Sequence, residues 1–164
     1  MHLTLHLPAS SRPSGNLDKF KSLMLSLACA VCASAALAAE PAGMVKTLKG
    51  TADIERDGKR IPVAVGTEVF AKDRVSTGAN SSVGITLKDN TQLSAGANAQ
   101  LELSKFSFNT TSHAGELDTT VKRGALSVIS GKVAKANPEA VRFNTGTVTL
   151  GVRGTEFIIE AGDE

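Results

Sequence analysis

Tryptophan and tyrosine are missing from this 164-residue chain, and its two cysteines, Cys29 and Cys32, lie close to its start. From Ala39 onward there is therefore no disulfide, no thiolate nucleophile and no cysteine metal site, and the domain must hold together by packing. Of the three histidines only His113 follows the leader, which starves acid/base and nucleophilic chemistry of parts. Six phenylalanines are the only aromatics, so deep aromatic-lined pockets and base-stacking platforms are not expected. No G-x-S-x-G, H-E-x-x-H, phosphate-loop or dinucleotide pattern occurs. An excess of one charge is missing too. Arg12, Lys19 and Lys21 against Asp18 account for the formal net charge of +2, leaving 15 basic and 15 acidic residues from Ala39 on. Without a basic block or stripe, a nucleic-acid partner is not expected.

The beginning of the chain has the three-part order of a secretory signal peptide. Lys19 and Lys21 precede the apolar run SLMLSLACAVCASAALAA at residues 22–39, and Ala36 and Ala38 fit the small-residue positions before a cut at Ala38/Ala39. An uncleaved membrane anchor is the alternative, although the run is rich in Ala, Ser and Cys. Acylation at Cys29 is disfavoured because Ser26 stands where a lipobox carries Leu. Residues 1–16 show no periodic pattern, which is consistent with a start site near Leu17. The C-x-x-C spacing of Cys29 and Cys32 falls inside the apolar run, without the βαβ context a redox motif needs. The expected organisation is a signal peptide over 1–38, a linker over 39–44, one β domain over 45–160 and a tail over 161–164. Localisation is expected to be periplasmic or secreted, with membrane contact only if the leader is uncleaved.

What the rest of the chain does contain is short runs of Val, Ile, Leu, Phe and Thr separated by Gly, Asn, Asp and Pro. This is the punctuation of strands and tight turns, and it predicts an all-β domain, a jelly-roll or β-helical sandwich of short strands. Val83, Ile85 and Leu87 alternate with Gly84, Thr86 and Lys88, as a strand with one buried face requires. Strands are predicted over 44–48, 51–56, 60–62, 74–76, 82–87, 92–93, 100–103, 115–121, 125–129, 141–144, 147–151 and 156–160. Asp57-Gly58 is a two-residue hairpin signal, Lys88–Thr91 a similar turn and Asn137-Pro138 another. No run of ten residues shows helical spacing with caps, so little helix is expected.

The residues that could carry chemistry each have a plainer role. His113 and Glu116 could share a metal, but one histidine and one carboxylate fall short of a zinc site, and no metal or cofactor is expected. Asp53 with Glu55, and Glu156 with Glu160, place carboxylates on one strand face, an arrangement that solvated strands carry routinely. No catalytic residue is assigned, and an enzyme is not expected. Asn109-Thr110-Thr111 has the form of a glycosylation acceptor and reads as a polar loop.

Read in order, Thr67–Gly78 (TEVFAKDRVSTG), Ser82–Leu93 (SVGITLKDNTQL), Lys122–Val128 (KRGALSV) and Leu150–Phe157 (LGVRGTEF) resemble the FecR-type domain over roughly residues 45–160. Lys72–Gly78 and Val152–Phe157 match best. The resemblance implies a periplasmic β-rich module without catalytic activity, best known in inner-membrane regulators that relay a signal from an outer-membrane iron-siderophore receptor to a cytoplasmic sigma factor. Such regulators also carry a cytoplasmic helical segment and a further receptor-contacting region. Neither pattern is found here, so direct sigma-factor control is not expected. Within the motifs the residues singled out are Asp73, Thr77, Gly78, Arg153, Gly154, Thr155 and Phe157. Glycine beside a hydroxyl residue at Thr77-Gly78 and Gly154-Thr155 fits a turn with positive φ whose free backbone groups the hydroxyl satisfies. Two roles are open to Arg153: bidentate capture of a carboxylate or phosphate group, or locking Asp73 or another acid across a turn, with the second preferred. The expected partner is another envelope protein or a cell-wall or surface glycan, and the alternative function is a structural adaptor of the envelope.

Overall fold

Alternating apolar residues become strands with one face turned inward throughout the domain. The computed structural model describes residues 39–146, 148–151 and 156–162, all within one unit, Ala39–Glu164. Its strands are β1 (Gly43–Lys49), β2 (Ala52–Arg56), β3 (Lys59–Pro62), β4 (Glu68–Val69), β5 (Arg74–Thr77), β6 (Ser82–Leu87), β7 (Gln92–Ala95), β8 (Gln100–Phe108), β9 (Gly115–Ile129), β10 (Val141–Asn144), β11 (Thr149–Gly151) and β12 (Glu156–Ala161). A short helix, α1 (Lys132–Ala136), and a 3₁₀ turn at Pro138–Ala140 follow β9.

The strands form one curled sheet in the order β3-β2-β5-β8-β9-β7-β6-β1-β4, with β10 and β12 also paired to β9 and β11 paired to β10. Every pairing is antiparallel except β9 with β10. β9 is the fold's spine. Up to Arg123 it pairs with β8 and β10, and from Gly124 on with β7 and β12. The switch falls at Gly124, whose φ of +80° is open to glycine, and where a Cβ would lie 2.7 Å from the Ala99 Cα. The two walls share one core. Ile54, Val75, Leu101, Leu117 and Phe143 come from one wall, and Val45, Val83, Ile85, Leu93 and Leu126 from the other, all at most 2% exposed. Each such side chain contributes about 1.5–3 kcal/mol on burial.

The all-β expectation holds, and most predicted strands stand within a residue or two of their bounds. Asp57 and Gly58 take φ of 50° and 74°, the paired positive values of the expected hairpin turn. Three differences have local causes. The predicted strands 115–121 and 125–129 are one strand, because Gly124 bends the chain without breaking its pairing. β8 runs on to Phe108 through an irregularity between Glu102 and Lys105 that hides its period. β4 was not predicted, since two residues beside β1 leave no periodic trace. The leader, with its proposed cut at Ala38/Ala39, begins before the described residues.

Candidate functional site

Asp73 lies just ahead of β5 and is fully buried. The chain reaches it through Lys72, whose φ of 74° is left-handed, and the Phe70 N–H donates to Asp73 Oδ2 at 2.8 Å. Arg56, at the end of β2, donates from Nε to Asp73 Oδ1 at 2.8 Å and from Nη2 to Oδ2 at 2.7 Å. Its Nη2 also donates to the Glu68 carbonyl at 3.0 Å, and the guanidinium stands 4.2 Å from the centre of the Phe70 ring. The hydrogen bond to Asp73 raises the Arg56 pKa above its already high ordinary value, outweighing the opposite effect of burial. One arginine thus ties the β2–β3 hairpin, the β4 strand and the approach to β5 together. Among the described residues, Arg56 is the side chain that locks Asp73.

Thr77 closes the other end of β5. Its hydroxyl donates to the Gly96 carbonyl at 2.6 Å and accepts from the Ala99 N–H at 2.8 Å. The hydroxyl therefore satisfies backbone groups of the β7–β8 connection, as expected. Gly78 acts differently from expectation: the positive φ falls on Asn80, at 55°, and Gly78 is needed for close approach. A Cβ there would sit 2.5 Å from Thr51 Oγ1.

A third joint was not anticipated. Asp89, expected only as a turn residue, is fully buried, and its carboxylate accepts from the Thr91 N–H at 3.0 Å and the Thr91 hydroxyl at 2.7 Å. The Lys132 N–H donates to the Asp89 carbonyl at 2.8 Å and the Val133 N–H to Oδ2 at 3.4 Å. Gly131, the residue capping α1, offers no side chain, so Asp89 from a distant turn satisfies the first turn of the helix. The Gly131 N–H in turn donates to the Thr91 hydroxyl at 3.1 Å. The spacing Asp89-x-Thr91 is an Asx-turn signal, but its burial depends on α1, which no sequence period announces.

Phe157 on β12 packs edge-on against Phe143, with ring centres 5.2 Å apart at 75°. Arg153, Gly154 and Thr155 lie outside the described residues. Asp73 and Thr77 sit at opposite ends of β5, while Phe157 belongs to the far wall, so the described motif residues do not converge on one cleft.

The remaining candidates are on the surface. Glu55 faces Arg74 at 3.5 Å, and Arg74 also reaches Glu102 at 3.3 Å, giving an alternating charge row across β2, β5 and β8. Glu116 pairs with Lys105 at 3.6 Å, and His113 is exposed with its ring stacked on Phe108. Asn109 Oδ1 accepts the N–H groups of Thr111 and Ser112 and shapes their loop. Glu156 and Glu160 are exposed on β12 on either side of Ile158. Among the described residues no three His, Cys, Asp or Glu side chains gather as metal ligands, and no helix is long and apolar enough to cross a membrane.

A family model described as FecR protein matches residues 73–164. No curated protein and no solved structure matches the chain. The matched segment begins on Asp73 and contains the Thr77, Asp89 and Gly124 joints.

Proposed function

The chain belongs to the FecR protein family, a family of signalling regulators, and from that premise we propose that it is a non-enzymatic binding or sensing domain working in the bacterial envelope. On this reading it is exported by its leader to the periplasm or beyond and acts through contact with another envelope protein or with a cell-wall or surface glycan. The observation that carries the reading is where its distinctive polar residues point. Asp73, Thr77 and Asp89 are all buried and all engaged with the chain's own backbone or with Arg56. These described residues of the family pattern are joints that fix the shape of a sheet, which supports a reading in which recognition falls to the sheet's outer faces and edges.

A pull-down from envelope extract, with the purified protein as bait, tests this. Retention of a specific envelope protein is the expected result, and retention of glycan alone selects the other class of partner. If neither is enriched over an unrelated β-protein bait, the binding reading fails.

A further inference from the structure

Resting on that reading, we propose that the outer edge of β12 is a docking edge, which takes up an extended partner segment carrying an apolar residue flanked by basic residues at alternate positions.

The sheet's edges are unequal. β4 has only two residues, and β11 three. β3 has four, and it carries Pro62, which has no N–H to offer, beside the exposed Lys59 and Arg60. Shortness, proline and lysine are the usual guards against strand addition. β12 has none of them. It is six residues long, contains no proline and no basic residue, and among the described residues it pairs with β9 alone. At its centre stands Ile158, 68% exposed and the most exposed large hydrophobic side chain among the described residues.

The charges on this edge determine which strand fits. Glu156, Ile158 and Glu160 share the outward face by alternation, and neither glutamate forms an ion pair with a described residue. A second copy pairing antiparallel about Ile158 would set Glu156 against Glu160 twice. Shifted registers would set a glutamate against Ile158. Like charges directly opposite each other are destabilising, whereas opposite charges and apolar pairs across strands are favourable. The occupant that answers all three positions is a strand with lysine or arginine facing both glutamates and an aliphatic residue facing Ile158, held by main-chain hydrogen bonds.

The test uses the full chain and two capped peptides, TKTVTKT and TETVTET, titrated by calorimetry or NMR. TKTVTKT is expected to bind at least tenfold more tightly than TETVTET. The double variant Glu156→Lys with Glu160→Lys should invert that preference, and N-methylation of the peptide backbone along one edge should abolish binding. Ile158→Lys, an exposed change that leaves the core intact, should lose the peptide while keeping the wild-type melting temperature. Equal binding of both peptides, binding unaffected by Ile158→Lys, or no binding at all overturns the proposal. So does a dimer that Ile158→Lys dissolves, since the edge then belongs to a second copy. Failure here is separable from failure of the functional reading: if Ile158→Lys retains the same envelope protein as wild type, the domain binds but through another surface.

Discussion

Arg56 grips both carboxylate oxygens of Asp73, at 2.8 and 2.7 Å, from 17 residues away in the chain, with the aspartate side chain 1% exposed and the arginine side chain 31% exposed. Bidentate geometry around a buried acid makes this pair unlike the charge row on the sheet's outer face. Removing one member leaves the other uncompensated, and such losses run to about 3 kcal/mol or more. Arg56→Ala and Asp73→Ala should each lower urea-unfolding stability by about that amount, and Arg56→Lys should recover only part of it because lysine cannot form the fork. Arg74→Ala, which removes contacts to the partly exposed Glu55 and Glu102, should cost under about 1 kcal/mol. Similar losses at both arginines would refute the distinction.

The pH behaviour of that pair has a definite sign. Because the folded-state pKa of Arg56 is raised, its contribution is complete below the unfolded-state value and is lost only as pH climbs through the higher folded one. The stability difference between wild type and Arg56→Gln should therefore stay level between about pH 7 and about pH 11. A decline within that window, measured by denaturant titration, would contradict the assignment.

Much of this fold was legible because its strands alternate. Val83, Ile85 and Leu87 announce β6, and Asp57-Gly58 announces its hairpin, since both signals are local. The joints are not local. Nothing around Arg56 marks it as the partner of Asp73, and Asp89 looks like any turn residue until α1 arrives beside it from more than 40 residues later. The sequence pattern pointed to Asp73, Thr77 and Gly78 as positions that matter, while the chemistry each performs depended on neighbours that only the folded chain supplies.

Asp89 should behave as a long-range helix cap. Its carboxylate holds Thr91 and the first turn of α1, and deletion of a buried acceptor with several donors costs about 2–3 kcal/mol. Asp89→Ala should destabilise by that amount and speed amide exchange at Lys132 and Val133. Gly131→Ala should be at least as harmful, because its Cβ would overlap the Asp89 carbonyl oxygen and the Thr91 nitrogen, both backbone atoms. If exchange at α1 is unchanged in Asp89→Ala, the cap is not what holds the helix.

Gly124 and Gly58 share a positive φ but differ in surroundings. At Gly58, φ 74°, a Cβ would meet nothing within 4 Å, so Gly58→Ala should cost only the conformational strain of about 1 kcal/mol. At Gly124 the Cβ would press on Ala99 at 2.7 Å from its Cα and 2.9 Å from its Cβ, at the point where β9 passes from one wall to the other. Gly124→Ala should therefore cost at least about 2 kcal/mol more than Gly58→Ala by thermal or urea unfolding. Equal losses would show that the bend tolerates a side chain and that Gly124 is not what allows β9 to serve both walls.

Thr119 offers the opposite experiment, a gain. It sits on β9 between Leu117 and Val121, fully buried, and its hydroxyl has no hydrogen-bond partner among the described residues. A hydroxyl taken from water without compensation costs about 1–3 kcal/mol, and valine has nearly the same shape without it. Thr119→Val should raise unfolding stability by about 1 kcal/mol or more and leave the near-ultraviolet phenylalanine signal, to which the buried Phe143 contributes, unchanged. Thr119→Ala separates shape from polarity: it also removes the hydroxyl but opens a methyl-sized void beside Phe143, its register partner on β10, and should be less stable than Thr119→Val by about 1 kcal/mol. Destabilisation by valine would mean that the hydroxyl is held in the native state and that the core depends on it.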